Sequence, residues 1–237
     1  MYLRHKLLDL FFPPRCPFCN RVITSGCYIC TNCNDKVFLL ENIQTAVVEN
    51  EVYHGKCIAP YAYEDKIQSL LIQFKFHQKP QYDAFFGEKL AQAILIKNLA
   101  ESCEIVVSVP ISKQRYRERG YNQSALLAKR VAAYLGIPYV NTLVKIRHNA
   151  EQHHLPAQER KNNVIGVYDL KEIRHITNKK VLLIDDIVTT GFTLAECAGV
   201  LLQHGAEQVL CGAVARRANV YAEAADPFEE ACKNCKI

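Results

Sequence analysis

The sequence predicts an α/β protein: a parallel sheet flanked by helices, with a small cysteine-rich module at its N-terminal end. Three observations carry this. Short apolar runs rich in β-branched residues alternate with segments of helical period. Several of those runs are apolar at every position, as strands covered on both faces are. Five of the 11 cysteines fall between Cys16 and Cys33. Residues 1–50 are assigned to an N-terminal helix and the cysteine module, and residues 51–237 to the α/β domain, with the junction open across 40–58.

The chain begins MYLRHKLLDLFFPPR, a basic end and a short apolar patch that holds Asp9 and runs into Pro13 and Pro14. It lacks a small-residue cleavage site, so it is read as a retained amphipathic helix that stops before the prolines. No stretch reaches the roughly 20 apolar residues of a membrane-spanning helix, and no membrane span is expected. With 49% hydrophobic and 22% charged residues among 237, disordered and low-complexity classes are excluded.

An odd cysteine count without a cleavable leader fits a reducing compartment better than a disulfide framework, so a cytoplasmic location is expected. Clustered thiols in that setting bind metal. Cys16-Pro17-Phe18-Cys19-Asn20 and Cys30-Thr31-Asn32-Cys33-Asn34 are two C-x-x-C pairs, each followed by Asn, which tolerates the left-handed turn that closes a knuckle. Cys16, Cys19, Cys30 and Cys33 would supply four thiolates to a closed, structural Zn²⁺ site. Cys27 and Cys30 form a competing C-x-x-C; the second knuckle is taken as Cys30 and Cys33 because it repeats the following Asn. Cys232 and Cys235 make another pair without assigned chemistry, while Cys103, Cys197 and Cys211 sit in apolar patterns as core residues.

Further along, Ile67, Leu70, Leu71 and Phe74 repeat at helical spacing, and Phe86, Leu90, Ala93 and Ile94 begin a second such face. Glu104 to Val109 reads as a buried strand stopped by Pro110. Asn122 to Leu135 reads as a helix with Asn122 as N-cap and Gly136 at its stop. Val164 to Tyr168 and Val181 to Ile184 read as strands, with a polar turn at Asn178 between them. A helix over Thr193 to Gln203, ending near Gly205, and a strand over Val209 to Val214 complete the pattern. Ligands of such a sheet bind at the carboxyl ends of its strands.

The richest segment follows Val181 to Ile184. The strand delivers Asp185 and Asp186 to its carboxyl end, and a loop of Thr189, Thr190, Gly191, Phe192 and Thr193 opens the next helix. Unpaired N–H groups at a helix start bind phosphate, hydroxyls add donors, and glycine allows close approach. Carboxylates beside a phosphate repel it unless they face sugar hydroxyls or a Mg²⁺ carried by the same ligand. A ribose phosphate satisfies both halves. The string resembles the 5-phosphoribosyl 1-diphosphate (PRPP) signature of type I phosphoribosyltransferases. That resemblance implies that Asp185 and Asp186 hold the ribose hydroxyls and that Thr189 to Thr193 wrap the 5-phosphate, with Mg²⁺ accompanying PRPP.

A wider resemblance covers nearly the whole chain. LLDLFFPPRCPFCN from Leu8, the cysteine knuckles, Phe74-Lys75-Phe76, Arg119-Gly120-Tyr121-Asn122-Gln123, and Arg147, Gln152, Leu155, Arg160, Asn163 and Val164 stand in the order of the ComF/GntX family. Tyr121 replaces its usual phenylalanine and Asn149 its usual threonine. The resemblance implies a zinc module on a type I phosphoribosyltransferase-like domain, and a role in natural transformation, in handling incoming single-stranded DNA, or in growth on DNA. A DNA-uptake helicase or recombination protein is the implied partner. The alternative is an active phosphoribosyltransferase that acts on a nucleobase or related nitrogen acceptor.

Charge is uneven. Residues 111–180 carry 14 Lys+Arg against 5 Asp+Glu, whereas the whole chain is only +5. Such a segment favours a polyanionic partner. Its densest group, Lys113, Arg115, Arg117 and Arg119, follows the Glu104 to Val109 strand, where it would meet either the diphosphate or a DNA backbone whose bases stack on Tyr116 and Tyr121. The polar stretch 147–161 reads as a flexible loop, with Gln152, Arg160 and Asn163 as its candidate functional residues.

Overall fold

The computed structural model describes residues 13–24, 27–37, 43–147 and 165–217. The expected N-terminal helix, Gln152, Arg160, Asn163, Cys232 and Cys235 lie outside the described residues. In chain order the elements are α1 (Thr31–Val37), β1 (Gln44–Glu49), β2 (His54–Ala59), β3 (Tyr61–Ala62), α2 (Asp65–Phe76) and α3 (Tyr82–Ile96). They continue with β4 (Ile105–Ser108), α4 (Lys113–Arg119), α5 (Gln123–Leu135), β5 (Tyr139–Val140), β6 (Leu143–Lys145) and β7 (Tyr168–Leu170). The last three are β8 (Lys180–Val188), α6 (Phe192–Gln203) and β9 (Gln208–Arg216).

The main sheet has the order β1-β2-β9-β8-β4-β5, parallel throughout except for the antiparallel edge hairpin of β1 and β2. Pro60, which has no N–H to donate, separates β2 from β3, and both pair with β9. β1 lies in residues the sequence assigned to the module, so the sheet begins at Gln44 rather than after residue 50. Its hairpin lacked a sequence signal because Glu49 to Tyr53 carries no Gly or Pro turn.

Period 2 sorts the core. Val106, Leu182, Ile184 and Val214 face α2, α3 and α5, where Phe74, Phe86, Leu90 and Leu127 complete one cluster. Val107, Val181 and Leu183 face α6 and the β7 side, where Leu194, Ala195 and Cys197 complete the other. The predicted faces of α2 and α3 are buried, and α5 starts on Asn122 and ends on left-handed Gly136, as its caps predicted. α3 and α5 cross closely at Gly87, where an added Cβ would lie 2.4 Å from Arg130 Cβ, and the Asp83–Arg130 ion pair at 2.9 Å ties the same helices.

Three elements differ from expectation. The strand placed at Val164 to Tyr168 is Tyr168–Leu170, paired antiparallel to β6 in a separate two-stranded sheet, while Ile165 and Gly166 form a turn. β8 runs on to Val188, so Asp185 and Asp186 belong to the strand itself. Carboxylates are depleted in strands in general, but here β9 continues alongside and pairs Asp185, Ile187 and Val188. The basic cluster after the Glu104 to Val109 strand, for which no element was expected, is the helix α4, capped by Ser112 and by left-handed Gly120. Among the described residues no helix is long and apolar enough to cross a membrane.

Candidate functional site

The carboxyl ends of β4, β8 and β9 open into one cavity of about 220 Å³, lined by all of Asp185, Asp186, Thr189, Thr190, Gly191, Phe192 and Thr193. Gly191 is the N-cap of α6 at φ 76°. A Cβ there would sit 3.0 Å from the Val47 carbonyl oxygen and 3.2 Å from Val48 Cα, so both backbone angle and space require glycine. α6 therefore points its unpaired N–H groups into the cavity beside the three threonines. Behind them Thr193 hydrogen-bonds Tyr168, a phenol that burial holds well above its ordinary range.

The two carboxylates have different partners. Lys75 Nζ reaches both oxygens of Asp186, at 2.9 and 3.3 Å. Asp185 Oδ1 accepts from Ser124 Oγ at 2.8 Å and from the Asp186 amide at 2.9 Å. Burial pushes the Asp185 carboxyl from 3.8 up to about 7, the Asp186 charge adds to the rise, and Lys75 and Ser124 oppose it.

The motifs that the sequence left without a mechanism fasten this arrangement. Tyr121 donates its hydroxyl to the Phe74 carbonyl and stacks its ring on Phe74 at 5.9 Å. The hydroxyl that phenylalanine would lack thus takes an orphan carbonyl in the last turn of α2. Gln123 Nε2 bonds the next carbonyl, of Lys75, at 3.5 Å. Arg119 lies over the Phe76 ring at 4.9 Å. Lys75 is thereby held opposite Asp186 by two segments that are far apart in the chain.

Helical period divides the basic cluster. Arg115 and Arg119, one turn apart on α4, are half-buried and line the cavity, whereas Lys113 and Arg117 are exposed and do not. Sequence reasoning missed Lys75, Ser124, Lys145, Tyr168 and Arg217 as cavity residues. Lys145 is pulled down to about 8 by burial and by the Arg115 charge. Only Lys75 had a prior signal, its place in Phe74-Lys75-Phe76; the others come from elements whose approach no local pattern encodes.

The cysteine module meets its expectation by a partly different route. Sγ atoms of Cys16, Cys19, Cys30 and Cys33 all lie within 4.8 Å of one another, with Cys19 and Cys30 at 3.6 Å. Thiolates at about 2.3 Å from one Zn²⁺ in a tetrahedron stand at such spacings, so the donor set fits a closed structural site. Cys27 is exposed and outside the set. Asn20 adopts the left-handed turn at φ 60°, but Asn34 continues α1, so the following Asn was a valid signal for the first knuckle alone. Although burial acts to raise Cys16, backbone amides of Cys30, Phe18 and Cys19 bring it down to about 6. The module seats on α3 through Phe18, whose ring meets Phe85 edge-on at 5.5 Å.

Comparison with known proteins agrees with both halves. The phosphoribosyl transferase domain model matches residues 122–231 and the double zinc ribbon domain model matches residues 7–44. The DNA utilization protein YhgH of Salmonella typhimurium is 34% identical over 151 residues, 62% of this chain and 66% of that protein, just under two thirds of its length. Competence protein F of Haemophilus influenzae is 27% identical over 206 residues, 85% of this chain and 90% of its own. Among solved structures, the allosteric regulatory enzyme of purine biosynthesis superposes on 60% of this chain and 30% of its own, with a TM-score of 0.41 and 22% identity.

Proposed function

We propose that the chain, which matches the double zinc ribbon and phosphoribosyl transferase domain models and is similar to competence protein F and to DNA utilization proteins, as its resemblance to the ComF/GntX family implied, acts in natural transformation or DNA utilisation on incoming single-stranded DNA, through a pocket that binds PRPP. One observation carries the pocket reading. An acidic pair, a hydroxyl loop at a helix start and two arginines, drawn from three separate elements, converge on a single cavity.

In this reading Thr189 to Thr193 and the first amides of α6 hold the 5-phosphate, and Asp185 and Asp186 accept from the ribose hydroxyls. Arg115 and Arg119 face the diphosphate. Lys75 already neutralises one of the two carboxylates, so the pair holds at most one net negative charge. That suits hydroxyl recognition better than a cage for a bare divalent cation, and Mg²⁺ fits as an ion that arrives on the diphosphate.

Calorimetric titration of the full chain with PRPP and Mg²⁺ tests this. Heat of binding is expected for the unmodified protein and loss of it for Asp185→Asn with Asp186→Asn; absence of heat in the unmodified protein would sink the pocket reading. Transfer to a nitrogen acceptor is the second reading. It rests on Tyr63, Gln68 and Arg217, a ring, an amide and a guanidinium that line the same cavity, and it requires acceptor-dependent release of pyrophosphate.

A further inference from the structure

Beside the phosphoribosyl cavity lies a larger groove, about 990 Å³, with different chemistry. Its lining includes five cations, Lys113, Lys129, Lys145, Arg147 and Lys171, and no Asp or Glu. Three tyrosines, Tyr116, Tyr121 and Tyr139, lie among them. A basic surface that serves only solubility mixes both signs of charge. Among the described residues none of Lys113, Lys129, Arg147 and Lys171 is paired with a carboxylate.

The rings differ in how far they are committed to the fold. Tyr121 is engaged with Phe74, and Tyr139 hydrogen-bonds Ser108 at 3.0 Å. Tyr116 is 54% exposed, so its face is open to a ligand. Lys129 lies 5.7 Å from the Tyr139 ring centre, which sets a cation beside an aromatic surface. Cations that follow a backbone, together with rings that receive bases, are what a single strand needs. A duplex offers no unstacked base to such rings.

We propose that this groove is the single-stranded DNA interface of the protein, separate from the phosphoribosyl cavity and divided from it by α4. Arg115 and Arg119 face the cavity, whereas Lys113 and Tyr116 face the groove. The two sites share Pro110, Ile111, Ser112 and Lys145, so they are contiguous along the segment after β4. The inference rests on the proposed DNA role and adds where the strand lies.

Fluorescence anisotropy of the full chain with a labelled oligothymidine and with a duplex of equal length, at several salt concentrations, tests it. If all five cations meet phosphates, log affinity against log salt has a slope of about −3.5. Lys129→Gln with Lys171→Gln should weaken binding and flatten the slope by about 1.4, while the PRPP heat stays intact. Tyr116→Ala should weaken single-strand binding by about 5- to 150-fold and leave the slope unchanged. Single-strand binding that neither variant alters would overturn the groove and leave the DNA role standing. No single-strand binding by the unmodified chain would overturn both, with the PRPP titration still judging the cavity separately. Equal duplex binding, indifferent to Tyr116→Ala, would reduce the groove to a general polyanion patch and overturn the proposal.

Discussion

Two places in this molecule crowd groups of like charge together, and they resolve the repulsion in opposite ways. In the cysteine module four thiols converge, and the groups acting on them are backbone amides and one another. Cys16 falls to about 6, while burial and the neighbouring thiols push Cys33 up to about 12. The four cannot ionise together without an imported cation. In the cavity two carboxylates converge, and Lys75 stands against Asp186 as part of the chain. One set of ligands suits an imported metal; the other carries its own counter-charge in Lys75.

The largest expected effect comes from removing the imported cation. Zinc analysis of the purified chain should give one metal per chain, lost on Cys16→Ser and retained on Cys27→Ser. Because structural zinc supplies apparent folding energy of about 10–16 kcal/mol in small modules, Cys16→Ser should also expose the module to limited proteolysis. A Cys27→Ser protein that loses its metal would break the comparison at the ligand set.

Removing the built-in counter-charge should do less. Lys75→Met strands the nearly buried Asp186 carboxylate, at a cost of about 3–5 kcal/mol by urea denaturation. Lys75→Met with Asp186→Leu should recover most of that stability but no PRPP binding, since the proposed ribose contact needs the carboxylate whereas the fold needs only the space filled. If the single variant is as stable as the parent, Lys75 is not the counter-charge.

Gly191→Ala tests the hydroxyl loop. A positive φ costs an L-residue about 1–2 kcal/mol, and the added Cβ presses on the Val47 carbonyl. The loop should shift and PRPP affinity fall more than stability does.

The same contrast explains what was legible in the sequence. The parts written in one continuous segment were readable: both C-x-x-C pairs, the run from Asp185 to Thr193, and α5 between Asn122 and Gly136. Parts assembled across the chain were not. Lys75 meets Asp186 across 111 positions and Ser124 meets Asp185 across 61, with no local pattern to announce either. The segment after β4 lay between these cases. Its charges were plain, but only helical period separates Arg115 and Arg119, toward the cavity, from Lys113 and Arg117. The β1–β2 hairpin and β6 were invisible because their strands are short or partly exposed and Asn50 to Tyr53, between β1 and β2, has no Gly or Pro, while β7 was read a few residues too early.

The pH dependence is the most discriminating test, because it carries two opposite signs. Asp185 binds its proton more tightly in the folded chain, at about 7, than at the ordinary aspartate value of 3.8. Between those values the native state holds a proton that the unfolded state has released. Its contribution to stability is therefore fully present below pH 3.8 and is lost as pH rises through 7. Ionised Asp185 is the better acceptor for ribose hydroxyls, so PRPP affinity should rise over the same interval. Melting temperature and PRPP affinity, measured from pH 5.5 to 8, should thus slope in opposite directions, and Asp185→Asn should flatten both curves. Should affinity fall as pH rises through 7, the carboxyl would be acting as a protonated donor, and the acceptor role given to Asp185 would be wrong.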